Sequence, residues 1–152
     1  GVIMSILGTI LGGVAVARLG TVRSLVLGSL LVIGSNLLFM TLAFQDDPSL
    51  VGLAVVISAD NLAMGVAGTA LIAYLSSLTS ASYTATQYAL FSSMYALPGK
   101  LLMGTSGFVV DAVGYPWFFV YTSSLGIPAL VLLYFLSRPE AKERARAGAD
   151  AR

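Results

Sequence analysis

Long uncharged stretches alternate along this chain with short clusters of charge. A bilayer core about 30 Å thick requires about 20 apolar residues in a helix, because backbone polar groups cannot be left unpaired in hydrocarbon. Five stretches meet that need, at residues 2–17, 25–44, 50–78, 85–110 and 117–136. The first ends at the cluster from Arg18 to Arg23. The second stops at Gln45-Asp46-Asp47-Pro48, where carboxylates and a proline end a membrane helix. The third and fourth are each interrupted by one charge, Asp60 and Lys100. The pattern predicts an all-α membrane protein of five transmembrane helices, a bundle over 1–137 followed by a charged tail over 138–152.

Composition strengthens that expectation. Of 152 residues 57% are hydrophobic, and the charged ones number 8 Lys+Arg and 7 Asp+Glu, far below the roughly 25% charge of a soluble domain. With a net charge of +1 and no basic stripe, nothing points to a nucleic-acid partner. Neither Cys nor His is present, which removes disulfides, thiolate zinc sites, cysteine nucleophiles and histidine triads. No metal or cofactor is therefore expected, and no enzyme. An aspartyl site would need cooperating carboxylates, yet Asp60 sits in mid-span and Asp111 at a span's end, about 15 Å apart in depth at 1.5 Å per residue. Gly1 opens directly into an apolar run without a basic n-region, so nothing resembles a secretory signal and the chain reads as the middle of something longer.

Charge also sets the orientation. Every Lys and Arg except Lys100 falls on one side of the five spans, in the 18–23 loop and the tail, while Asp46, Asp47 and Asp111 lie on the other. An excess of cations marks the cytoplasmic side, so residue 1 is expected outside and the tail inside. Tyr115, Trp117 and Tyr134 flank the last span as interfacial anchors. The tail, from Arg138 through Glu140 and Arg144 to Arg146, is read as a solvated end, with a short charged helix as the other possibility.

Lipid is as apolar as leucine, so helices associate in it where small residues let backbones approach. Gly8 and Gly12, followed by Gly13, form such a pattern in the first span. In the fourth, steps of three and four from Lys100 collect Thr86, Ala89, Ser93, Ala96, Gly104 and Gly107 on one face. In the third, Asn61 shares its face with Ser58, Gly65, Gly68 and Ile72. A charge in mid-membrane costs about 2.5 to 3.5 kcal/mol on insertion scales, which about six central Leu or Ile residues offset. Such a residue is by default a candidate for function. Asp60 and Lys100 both lie about 15 Å deep, so either they pair, directly or through water, or each has a different partner. Pro98-Gly99 beside Lys100 marks a bend or a hinge.

Several blocks resemble a known family. Asp60-Asn61-Leu62-Ala63-Met64-Gly65-Val66-Ala67-Gly68-Thr69-Ala70, Ala85-Thr86-Gln87-Tyr88-Ala89-Leu90, and Gly107-Phe108-Val109-Val110-Asp111 with Gly114-Tyr115-Pro116-Trp117-Phe118-Phe119 are similar to the C-terminal half of AmpG-like muropeptide permeases of the major facilitator superfamily. Gly13, Arg18, Gly20 and Arg23 resemble that superfamily's cytoplasmic loop signature, with Ala17 in its acidic place. The resemblance implies helices eight to twelve of a twelve-helix transporter in the bacterial inner membrane, whose N-terminal half is missing here. It implies import of anhydromuropeptides driven by proton-motive force. Asp60, Asn61, Gln87 and Lys100 become candidates for contact with substrate or protons, Gly13, Arg18, Gly20 and Arg23 for a cytoplasmic loop gate, and Pro98 and Gly99 for a hinge. The alternative is a small five-span membrane subunit that acts by helix–helix assembly.

Overall fold

The computed structural model describes residues 1–45, 49–79 and 84–150, with side chains described as far as Leu136 except at position 84. These residues form α1 (Val2–Leu19), α2 (Thr21–Ala43), α3 (Leu50–Ser77) and α4 (Thr84–Asp150). All four are long and apolar enough to cross a membrane, α4 over Ala85–Leu136. The protein is an all-α membrane protein.

The expected count of five helices is corrected to four. The stretches expected at 85–110 and 117–136 share α4, because Gly114 alone departs from helical dihedrals (φ 79°, ψ 164°) where a loop was expected. Drawn out straight, the 52 residues of Ala85–Leu136 would measure about 78 Å, more than two bilayer cores. The chain instead reverses at Gly114. Leu102, Ser106 and Val109 on the first arm and Phe118, Thr122 and Leu125 on the second line one cavity of about 160 Å³.

The loop expected at 18–23 shrinks in the same way to a single residue, Gly20 (φ 88°, ψ 165°), so that α2 begins at Thr21. Those dihedrals are essentially open only to glycine. The corner is closed by hydrogen bonds: the Gly20 N–H donates to the Val16 carbonyl at 3.0 Å, and the Ser24 hydroxyl donates to the Gly20 carbonyl at 2.8 Å. α3 starts behind a side-chain cap, the Ser49 oxygen accepting the Gly52 N–H at 3.0 Å. Asp46, Asp47 and Pro48, the 80–83 connection, and the side chains of the tail including Glu140 and Arg144 lie outside the described residues. The backbone is helical as far as Asp150.

α3 packs against both α1 and α2, and α2 carries α4. These contacts rest on backbone approach. A methyl group added at Gly8 would strike the Leu62 carbonyl, and one at Gly65 would lie 2.6 Å from the Ser5 carbonyl oxygen. At Gly28 it would lie 2.7 Å from the Ala67 Cα, and at Gly126 2.5 Å from the Ile33 side chain. Phe39 of α2 stacks on Phe119 of the second arm with centroids 5.2 Å apart. Small side chains such as Ala70 (0% exposed) and Ser24 (0%) are buried beside a few valines and leucines, while most bulky residues, such as Leu50 (84%) and Phe108 (78%), point outward. A water-soluble fold has the opposite bias, so this distribution suits a hydrocarbon solvent.

Candidate functional site: a polar seam between the helices

Successive residues on an α-helix point about 100° apart, so a polar doublet on a buried face can reach two neighbours at once. α3 carries such a doublet, Asp60-Asn61, and α2 another, Ser35-Asn36. The Ser35 hydroxyl donates to the Asp60 carboxylate at 2.8 Å, tying α2 to α3. Ser5 of α1 donates to the Asn61 side-chain oxygen at 3.0 Å, while the Asn61 amide nitrogen donates to the Ile57 carbonyl of its own helix at 2.7 Å. On another face of α2, the Thr122 hydroxyl of the second arm lies 3.4 Å from the Asn36 side-chain oxygen and 3.1 Å from the Phe119 carbonyl of its own helix, and can donate to either. A seam of hydrogen bonds thus runs from α1 through α3 and α2 to α4. Counted from Ala43 and Leu50, Ser35 and Asp60 lie about 12 and 15 Å along their helices, so the central bond sits near one level.

In hydrocarbon each of these groups would lack a partner if the helices separated, so the seam fixes which faces meet. Every buried side-chain nitrogen and oxygen among the described residues has a hydrogen-bond partner. Asp60 and Asn61 are each half-buried.

The remaining expected residues are spread along the chain. Lys100 is exposed on α4, and among the described residues it forms no ion pair with Asp60, whose partner is Ser35. Around Lys100, Thr86, Ala89, Ser93, Gly104 and Gly107 are exposed and Ala96 is half-buried. Space beside Gly99, Gly104 and Gly107 is open. Gln87 is half-buried near the start of α4. Pro98 and Gly99 both keep helical geometry, the non-helical residue of α4 being Gly114. Arg18 and Arg23 are exposed on either side of the Gly20 corner, and Gly13 faces open space. On α3, Ser58, Gly65 and Gly68 are half-buried and Ile72 is exposed. Ser5, Ser35, Asn36 and Thr122 are the members of the seam that sequence reasoning missed. For Ser35-Asn36 a signal existed, since it is the one adjacent Ser-Asn pair inside the second apolar run and mirrors Asp60-Asn61. Among the described residues no group of three or more carboxylates, histidines or cysteines is placed to hold a metal.

Residues 1–152 match the family model of the Major Facilitator Superfamily. The chain is 32% identical over 137 residues to a Rickettsia conorii protein named as transporter AmpG 4, which covers 90% of this chain and 33% of that protein. It is 36% identical over 139 residues to an uncharacterized protein of Haemophilus influenzae, covering 88% of this chain and 33% of that one. It is 31% identical over 134 residues to the anhydromuropeptide permease of Escherichia coli K12, covering 88% of this chain and 27% of the permease. The chain therefore spans about a third of the length of these curated relatives.

Proposed function

The chain belongs to the major facilitator superfamily, a family of transporters rather than enzymes, and on that premise we propose that it forms helices eight to twelve of a proton-driven permease importing anhydromuropeptides across the bacterial inner membrane. In this reading α4 crosses the membrane twice, once on each side of Gly114. Five crossings then put residue 1 outside and leave residues 138–152 as a cytoplasmic tail beyond the 1–137 bundle, in keeping with the cations gathered at that side. The rest of the permease supplies the other half of the substrate path, since such transporters alternate access by rocking one half against the other around a central site. Assembly as a small independent subunit is the less favoured alternative, because the family match extends over residues 1–152.

The observation that carries the proposal is Asp60. A carboxyl group about 15 Å along a membrane-length helix costs about 2.5 to 3.5 kcal/mol to insert, and the Ser35 bond alone does not require a group that can ionise. A protonatable group at that depth is accounted for if protons pass there. Asn61, Gln87 and Lys100 join Asp60 in contacting solute or protons, Gly13, Arg18, Gly20 and Arg23 form the cytoplasmic gate, and Pro98-Gly99 acts as the hinge. Similarity to the anhydromuropeptide permease supports the choice of solute.

The test is uptake of labelled anhydromuropeptide by the complete protein in proteoliposomes under an inward proton gradient. Asp60→Asn should abolish accumulation above equilibrium while leaving insertion and solute exchange at equal concentrations intact. Unchanged gradient-driven accumulation in that variant would remove Asp60 from the mechanism, and absence of wild-type uptake would remove the solute. Residues 1–152 alone should show no uptake.

A further inference from the structure

Ser35 is 3% exposed, and its hydroxyl oxygen lies 2.9 Å from the Val32 carbonyl and 2.8 Å from the Asp60 carboxylate oxygen. A hydroxyl has one proton to give, so it can serve only one of these acceptors at a time. The Val32 carbonyl does not depend on it. That oxygen also receives the Asn36 side-chain amide at 3.1 Å, and it is positioned for the helical backbone N–H of the same residue.

Two arrangements of the same atoms follow. An ionised carboxylate only accepts, so the Ser35 proton turns toward Asp60 and makes a charge-assisted bond. A protonated carboxyl group brings a proton of its own and donates it to the Ser35 oxygen, whose hydroxyl proton swings back to Val32. The donor and acceptor exchange roles, one O–H bond rotates, and the two oxygens stay together. The Ser35 hydroxyl, the Asp60 oxygen beside it and the Val32 carbonyl each keep a partner in either arrangement.

We propose that Ser35 is a positioning residue for Asp60, a hydroxyl that keeps the carboxyl group tied to α2 whether or not it carries a proton. This role rests on the proposed function, in which Asp60 gains and loses a proton. Among the residues whose side chains are described, the charged groups on the helices around α3 are Arg18 on α1, Arg23 on α2, and Lys100 and Asp111 on α4, all exposed. α1 and α2 carry no tyrosine. From these neighbours, Ser35 is the side chain that meets the carboxyl group.

A role in filling space and a role through the hydroxyl make opposite demands. If Ser35 matters only because it is small, Ala suffices and Thr is harmful. If the hydroxyl matters, Thr suffices and Ala does not. The test is infrared difference spectroscopy between acid and neutral pH on the complete protein in lipid nanodiscs, with uptake of labelled anhydromuropeptide measured alongside. Bands lost in Asp60→Asn belong to Asp60. In Ser35→Ala both its protonated and its ionised bands should shift, and gradient-driven uptake should fall about tenfold, the loss of one hydrogen bond to a charged group. Ser35→Thr should restore the bands and the uptake. Asp60 bands unmoved by Ser35→Ala would overturn the proposal, as would an intact Ser35→Ala beside a failing Ser35→Thr, or an Asp60 that shows no change of charge between the two conditions. If the bands shift as expected but the wild-type protein takes up no anhydromuropeptide, the positioning role stands and the solute assignment falls.

Discussion

The α1–α3 crossing and the first arm of α4 carry the same kind of sequence and have opposite surroundings. Gly8 and Gly12 on α1 and Gly65 on α3 are pressed against a partner's backbone, leaving no room for even a methyl group. Gly104 and Gly107 on α4 recur at similar helical spacing and face open space. Small residues at intervals of three and four thus mark a face able to receive a helix, and whether one sits there depends on the rest of the molecule. Polar chemistry follows the same division: Asp60 and Asn61 are bonded within the packed part, whereas Lys100 stands on the uncovered face.

The comparison can be broken most forcefully at Gly8. Gly8→Val drives a branched side chain into the Leu62 carbonyl, which belongs to a helix backbone and cannot turn aside. A loss of about 3 kcal/mol is expected, at the upper end for overpacking, read as a lowered thermal midpoint of the bundle in detergent micelles. A null result there would mean that α1 and α3 are not in close contact. Gly20→Ala and Gly114→Ala, at φ 88° and 79°, should each cost about 2 kcal/mol from backbone strain, measured the same way. The exposed counterpart reverses the sign: Gly104→Ala should stabilise the isolated chain by about 0.5 to 1 kcal/mol, because alanine is the better helix former where nothing crowds it. Destabilisation by that change would show the face to be covered even in the isolated chain. An effect of similar size belongs to the seam, where Ser5→Ala should cost about 0.6 kcal/mol, the average for interhelical hydrogen bonds in membranes. A double-mutant cycle with Asn61→Leu would isolate that term.

Much of this arrangement is legible in the residues. Apolar run lengths locate the helices, the Gly8–Gly12 spacing anticipates a close crossing, and Asp60-Asn61 stands out against its surroundings. The partner of Asp60 is not legible. Depth along two helices places Asp60 and Lys100 at one level, but a level says nothing about which way a helix is turned or which neighbour lies beside it. The neighbour was settled by Gly28 meeting Ala67, which puts α2 and its Ser35 against α3. The reversal within α4 was legible in place and not in length. Gly114-Tyr115-Pro116 combines a glycine that stops one helix with a proline suited to the first turn of the next, yet nothing in composition says that a single residue makes the whole corner. Pro98-Gly99 keeps helical dihedrals, as a proline can inside a membrane helix, so its contribution to any bending is not visible in the backbone angles alone.

A corner made of one residue has no slack. The α1–α2 pair and the two arms of α4 are each joined in this manner, like the tines of a fork that share a handle. Neither tine can slide far along its twin without unwinding a turn at the join, so the two tines of a fork can bend or tilt but keep their register along the membrane normal. α3 has no such corner at either end: among the described residues Phe44, Gln45 and Ser49 separate it from α2, and Leu78 and Thr79 from α4.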